Sequence, residues 1–483
     1  MNRQLRGLGI LLVALFLAIF VQLNVLQVVR ANDLNRHPGN TRAVVRDFSE
    51  PRGSILSADG AVLAESVPTT DAFQRQRRYP AGDAFAHITG YFSLNYGSEG
   101  VEQQYNSELA GRTPKLQLKH LSDILLDKKR TADVILTLNK RLQDAATFAL
   151  HGRRGAVVAL DPKTGGILAM VDAPTYDPNP LASHVGKTVT SAWNSYLKDP
   201  GKPLLPRAYR EAYFPGSTFK VVTSAIALQN GITPDQPVYP TLTQIPLPNT
   251  RGQFLKNFGN ESCGGPLRDG LRVSCNTTFA QIGLDLGGAK LSAGADAFGF
   301  NMRPPLDLPA PAKSTFPPEQ AFAQDKPAVA KSAIGQQDVS ATPLEMALIA
   351  SSVANNGVIM TPHVMSQVRD SEGQVVETYQ PKPWLTAMPP ATAATLRDLM
   401  IGVVENGTGT NAKINGVQVA GKTGTAQTGR GTIHAWFISF APANDPKIAI
   451  AVIVEDQPGT GEATGGAIAA PIAKVVMQAA LQP

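Results

Sequence analysis

The chain has 483 residues, more than one hydrophobic core organises, so at least two domains are expected. Its 44 basic and 38 acidic residues leave a net charge of +6, a mild excess spread along the chain. No basic cluster or aromatic-interleaved stripe appears, which argues against a nucleic-acid partner. The two cysteines, Cys263 and Cys275, show no His/Cys ligand spacing, so neither a metal nor another cofactor is expected.

Arg3 and Arg6 precede an uninterrupted apolar run over residues 7–21. The run continues less purely to Val29, with Gln22, Asn24 and Gln27 inside it. That stretch is long enough to span a bilayer as a helix, and the two arginines favour a cytoplasmic amino terminus. Everything after Arg30 then lies outside the cytoplasm, on a single-pass anchor in the cell membrane. The alternative is a signal peptide cut near Val29-Arg30-Ala31. An arginine just before the cut and the length of the run favour the anchor. Both readings put the bulk of the chain in the cell envelope. No second span is expected, because later apolar runs are short or broken by Gly and Pro.

Residues 32–130 carry short strand-like pieces at 41–47, 53–56 and 61–64. The Arg/Gln-rich stretch 74–78 and the Lys-rich stretch 115–130 read as solvated surface. No catalytic grouping appears, so this region is expected to be a small β-rich pedestal, resembling a dimerisation domain. The composition changes near Asp133, and residues 131–483 are read as one catalytic domain. Residues 134–138 predict a strand and 141–151 a helix. Strands at 155–160 and 166–171 flank the turn Asp161-Pro162-Lys163-Thr164-Gly165, a hairpin signal. Three more strands are predicted at 417–420, 435–440 and 448–454. A closing helix is predicted at 467–481, with Pro471 near its start. Strands at both ends of the domain around a helical middle predict an α+β fold, one antiparallel sheet covered by helices.

The chemistry begins at Pro215-Gly216-Ser217-Thr218-Phe219-Lys220, which opens an apolar helical pattern. Proline and glycine place Ser217 at a helix amino terminus, where unpaired N–H groups favour a developing oxyanion. Lys220 follows by three residues and shares the helix face, within reach of the serine proton. Serine is a weak nucleophile unless such a base activates it. Ser-x-x-Lys alone is a weak signal, since Ser195-Tyr196-Leu197-Lys198 also matches. That copy lacks the Pro-Gly lead and runs at once into the helix-ending Asp199-Pro200.

Two further elements accompany this motif, Ser-x-Asn and Lys-Thr-Gly. Ser274-Cys275-Asn276 and Lys422-Thr423-Gly424 supply them. Both have upstream copies, Ser93-Leu94-Asn95 and Lys163-Thr164-Gly165, which stand in the wrong order. Only Ser217, Ser274 and Lys422 give serine, then Ser-x-Asn, then Lys-Thr-Gly. An ammonium with the flanking hydroxyls of Thr423 and Thr425 suits a carboxylate, and Gly424 admits a substrate backbone. The extracytoplasmic setting, the even count and the short spacing favour a Cys263–Cys275 disulfide; the alternative is two buried free thiols.

With these motifs the chain resembles the class B penicillin-binding proteins, which are D,D-transpeptidases. The resembling segments are GAVVALDPKTGGILAM at 155–170, Tyr176-Asp177-Pro178-Asn179, residues 214–220, SAIGQQDVSATPLEM at 332–346, 420–426 and 434–437. Residues 52–55 and 100–111 resemble the family's amino-terminal region more weakly. The short length and the stretch LASH at 181–184 are similar to the small actinobacterial type called penicillin-binding protein A. Neither a glycosyltransferase domain before the match nor a sensor module after it is expected, so the resemblance is to class B and not to the bifunctional class A enzymes. The resemblance implies that Ser217 attacks the penultimate D-alanine carbonyl of a stem peptide, with Lys220 as general base. Ser274 relays a proton to the leaving D-alanine, and Asn276 binds the donor peptide. Lys422, Thr423, Gly424 and Thr425 engage the terminal carboxylate, and the N–H groups of Ser217 and Thr425 form an oxyanion hole. β-Lactams would acylate Ser217. The implied partners are peptidoglycan stem peptides, a membrane-embedded glycan polymerase and division proteins.

Other residues are read as structural. His434 is expected as a strand-edge histidine and Trp436 as core. Gly335-Gln336 and Thr342-Pro343 are read as scaffold, and Glu455, Asp456 and Glu462 as a solvated loop. The rival enzymes are a D,D-carboxypeptidase and a serine β-lactamase, which share the acylation machinery. A β-lactamase needs neither anchor nor pedestal. A non-catalytic scaffold for wall synthesis would carry a damaged motif, and all three motifs are intact.

Overall fold

Five strands of the catalytic region run between two apolar layers, and their side chains alternate accordingly. They are β1 (Gly155–Leu160), β2 (Ile167–Ala173), β3 (Ala420–Gln427), β4 (Thr432–Ala441) and β5 (Ile448–Pro458). In the computed structural model, which describes residues 2–25, 47–117, 131–323, 325–429, 431–458 and 464–482, they form one sheet in the order β3-β4-β5-β1-β2. Every neighbouring pair is antiparallel. Ala156, Val158 and Leu160 of β1 join the main core on one face, with Trp436, Ile438 and Phe440 of β4. Val157 and Ala159, with Ala435 and Phe437, join a second core on the other face. The period of two thus feeds both layers, which is why β1 and most of β5 read as unbroken apolar runs.

Helices α1 (Lys140–Leu150) and α6 (Gly465–Leu481) cover the second face. The Asn139 side chain caps α1 and Thr464 caps α6. On the main-core side lie α2 (Lys220–Gln229), α3 (Asn276–Ala297), α4 (Pro343–Ala354) and α5 (Pro390–Asn406). Helix α4 is buried all round up to Val353, and Thr342 caps it with Pro343 in its first turn. The α+β architecture predicted from the sequence is the one observed.

Five strands of a second, six-stranded sheet are Val375–Thr378, Met365–Asp370, Ala132–Leu136, Ile55–Leu56 and Val62–Pro68 in that order. Its strands come from both sides of position 131. Residues 52–66 and 77–483 form one compact unit, while 1–51 with 67–76 form another. In the smaller unit, Arg6–Asn24 is a 19-residue apolar helix, about 28 Å long at 1.5 Å per residue. That length fits a single span.

Three expectations change. The strand predicted at 417–420 begins instead at Ala420, because pairing with β4 starts at Ala420 opposite Phe440. The Lys-Thr-Gly triplet therefore lies inside a strand, where the register of β4 holds it. Stretch 74–78 is not all solvated: Arg77 is buried and pairs with buried Glu102, which also binds Arg52. Glu455 is not on a solvated loop either. It is buried on β5, accepting from Arg207 Nε at 2.9 Å and Tyr213 Oη at 2.7 Å, and it forms an ion pair with Arg154 at 2.7 Å. Charge alone reads as surface, and a sequence does not show the opposite charge folding onto it. The predicted strand residues 41–46, most of the Lys-rich stretch (118–130) and Glu462 lie outside the described residues.

Candidate active site

Two glycines shape the turn that carries Ser217. Gly216 adopts a positive φ of 54°, and a Cβ there would sit 3.1 Å from Ala426 Cα. Its N–H donates to the Gly335 carbonyl at 2.9 Å. Gly335 also has positive φ, and any Cβ would overlap the Gly216 carbonyl. The scaffold role read for Gly335 is thus a backbone clasp under the serine. A short 3-10 turn, Gly216–Phe219, leads into α2. Phe219 stacks on Phe316 at 5.3 Å and meets Phe300 edge-on. Ser217 is half-buried, whereas Thr218, Phe219 and Lys220 are buried.

Lys220 opens α2 and reaches the Ser-x-Asn segment. Its Nζ donates to the Ser274 carbonyl at 2.7 Å and to Asn276 Oδ1 at 2.7 Å, and stands 3.4 Å from Ser274 Oγ. Burial pushes its pKa well below the usual lysine range, and the nearby Lys422 charge lowers it further. A neutral amine has two N–H bonds and one lone pair. Two carbonyl-type acceptors occupy both N–H bonds, which leaves the lone pair for a hydroxyl proton.

Ser274 occupies the loop before α3 with φ of 62°, in the left-handed region. Its hydroxyl accepts from Lys422 Nζ at 2.9 Å, so it stands between the two lysines. Lys422 is buried on β3 and also donates to the Thr423 carbonyl at 2.9 Å. Burial lowers its pKa to about 7. Asn276 is held at both ends of its amide, because its Nδ2 donates to the Lys256 carbonyl at 2.9 Å.

Strand β3 is the edge of the sheet, so among the described residues its outer side has no strand partner. Gly424 sits where a Cβ would come within 2.8 Å of Thr218 Cγ2 and 2.9 Å of Trp436 Cβ. Only glycine lets β3 approach the serine turn this closely. Thr423 is buried and Thr425 half-buried, the latter opposite Ala435. Trp436 is in the core as expected, with its indole N–H donating to the Phe214 carbonyl at 3.0 Å. His434 lies on β4, where its Nδ1 accepts from the Asp456 N–H at 3.2 Å.

Cys263 and Cys275 are bonded, with Cα atoms 5.8 Å apart. The bond joins the short strand Cys263–Gly265 to the residue that precedes α3. It thereby anchors the backbone between Ser274 and Asn276. Reduction is expected to slow penicillin acylation while the domain stays folded, because the lost loop closure is worth only about 3 kcal/mol. Acylation kinetics and circular dichroism, with and without reductant, check this. An unchanged rate after complete reduction would refute it.

The motif copies are elsewhere. Ser195 is exposed near the end of the helix Gly186–Lys198. Lys163 lies in the β1–β2 turn and pairs with Asp445 at 2.7 Å. Ser93 lies on a two-residue strand. Sequence reasoning missed Thr408, whose Oγ1 is 2.6 Å from Thr423 Oγ1. The glycines on either side of it, Gly407 and Gly409, were the signal that backbone packs closely there.

Residues 155–478 match the family model of the penicillin binding protein transpeptidase domain. The chain belongs to the penicillin-binding protein transpeptidase family. Residues 52–135 of this family member match the penicillin binding protein A dimerisation domain. It is 41% identical to the peptidoglycan D,D-transpeptidase PbpA of Mycolicibacterium smegmatis, over 100% of this chain and 99% of that one. It is 29% identical to the peptidoglycan D,D-transpeptidase MrdA of Escherichia coli, over 81% and 70% of the two chains. Among solved structures it resembles penicillin-binding protein A of M. tuberculosis in a penicillin G acyl-enzyme complex. The TM-score is 0.83 at 39% identity, covering 90% of this chain and 100% of that one. All three motifs of this penicillin-binding protein fall inside the matched transpeptidase region.

Proposed function

We propose that the chain is a membrane-anchored peptidoglycan D,D-transpeptidase that works through an acyl-enzyme on Ser217 and is blocked covalently by β-lactams. The observation that carries this is the buried Lys220 amine, three residues after Ser217 at the start of α2, bonded to the Ser274 carbonyl and Asn276 Oδ1 and within 3.4 Å of Ser274 Oγ. In acylation, Ser217 Oγ attacks the carbonyl of the penultimate D-alanine while Lys220 Nζ takes the hydroxyl proton. The N–H groups of Ser217 and Thr425 hold the oxyanion. The C–N bond to the terminal D-alanine then breaks. Its amine receives a proton through Ser274, which stands between Lys220 and Lys422. In the second step an amine of a neighbouring stem attacks the ester, loses its proton to the same relay and releases Ser217. Asn276 orients the donor peptide. Lys422, Thr423, Gly424 and Thr425 bind its terminal carboxylate along the free edge of β3.

The organisation that fits this activity is an anchor at 1–31, a pedestal at 32–130 and the transpeptidase domain at 131–483. The apolar helix Arg6–Asn24 supports placing the catalytic domain outside the cytoplasm, next to lipid-linked wall precursors. Such an enzyme needs glycan strands to join, so a membrane-embedded glycan polymerase and division proteins are its proposed partners.

A β-lactamase or carboxypeptidase would hand the acyl group to water. Here the expected penicilloyl-enzyme persists for many minutes, because the relay serves an incoming amine. Intact-mass spectrometry after a penicillin pulse follows the adduct, and rapid turnover of penicillin would overturn this assignment in favour of the β-lactamase.

A further inference from the structure

Thr408 lies between α5 and β3, outside all three motifs, yet it touches the groups that the motifs bring together. Its side chain is exposed, and its Oγ1 is 2.6 Å from the hydroxyl of Thr423. Its backbone N–H donates to the Arg272 carbonyl at 3.3 Å, two residues before Ser274. Its own carbonyl packs against Gly466, where a Cβ would approach to 2.3 Å. Gly407 and Gly409 fix the turn on both sides. A Cβ on Gly407 would meet the Arg272 carbonyl at 2.3 Å, and the Gly409 N–H bonds to the Val403 carbonyl at 2.9 Å. The backbone that carries the Thr408 side chain is therefore fixed, and the hydroxyl meets Thr423.

Two hydroxyls at this distance share one hydrogen: one donates and the other keeps its own O–H free. Lys422 Nζ stands 3.4 Å from Thr423 Oγ1 on the donor side. With Lys422 and Thr408 both donating, the two lone pairs of Thr423 are filled and its O–H points away from both. We infer that Thr408 is a positioning residue that turns the Thr423 hydroxyl outward as a donor to the terminal carboxylate of the donor peptide. This rests on the transpeptidase reading above and adds to it a residue that belongs to none of the motifs.

The test uses the full chain and two probes, benzylpenicillin and its methyl ester, which lacks the carboxylate. Thr408→Val keeps the shape and removes the donor. It is expected to lower the second-order acylation rate constant for benzylpenicillin by roughly 10- to 100-fold, the size of one hydrogen bond to a charged group. The rate constant for the ester is expected to stay at its wild-type value. Thr408→Ser, which restores the hydroxyl, is expected to recover most of the loss. An equal loss for both probes, or no loss for either, would overturn the inference. A wild-type chain that benzylpenicillin fails to acylate would strike the transpeptidase reading itself.

Discussion

Ser217→Ala abolishes covalent labelling by a fluorescent penicillin, and Ser195→Ala leaves it intact. The contrast is large because the two serines share a motif and nothing else. Ser217 stands on a glycine-clasped turn with buried Lys220 one turn away and the edge of β3 alongside. Ser195 and its lysine partner, Lys198, are both exposed near a helix end. Gel fluorescence after denaturation reads the bond directly. Labelling that survives Ser217→Ala would place the nucleophile elsewhere.

Lys220→Arg is expected to slow acylation on the order of 10²–10⁴-fold, the range for loss of a general base. Arginine keeps the positive charge and the donors but does not give up its proton. The pH profile carries the sign. Lys220 acts when neutral, so acylation rises as pH climbs through its depressed pKa. Lys422 acts when charged, so acylation falls as pH climbs through its own pKa, near 7 in the free enzyme. Both lysines reach Ser274 Oγ, so the two limbs belong to the pair. A bound carboxylate raises the pKa of Lys422. The falling limb is therefore expected at higher pH for the limiting acylation rate than for the second-order rate constant. Stopped-flow acylation across pH measures both. Near-normal acylation by Lys220→Arg would remove the base from the account.

The sheet was legible because strands buried on both faces, β1 and most of β5 among them, read as short continuous apolar runs bounded by turn residues. The ordered serine, Ser-x-Asn and Lys-Thr-Gly elements located the residues that meet at Ser274. The start of β3 was misplaced because Lys422-Thr423-Gly424 has neither alternation nor β-branched density, and only pairing with β4 makes it a strand. Glu455 and Arg77 were read as surface because each one's opposite charge lies far away in sequence. Thr408 was missed because only its flanking glycines marked it, and its contact with Thr423, 15 residues on, needed the fold. Lys220 was legible as the base from its spacing to Ser217, whereas the largest cause of its depressed pKa, complete burial, needed the fold.

The most direct test supplies lipid-linked peptidoglycan precursor and a membrane glycan polymerase to the full chain, then digests the glycan and identifies its muropeptides by mass spectrometry. Cross-linked dimers joined through the fourth-position D-alanine of the donor stem are expected, with free D-alanine released, and neither product with Ser217→Ala. Stems trimmed by one D-alanine without dimers would make the chain a carboxypeptidase, and dimers that persist with Ser217→Ala would contradict the mechanism.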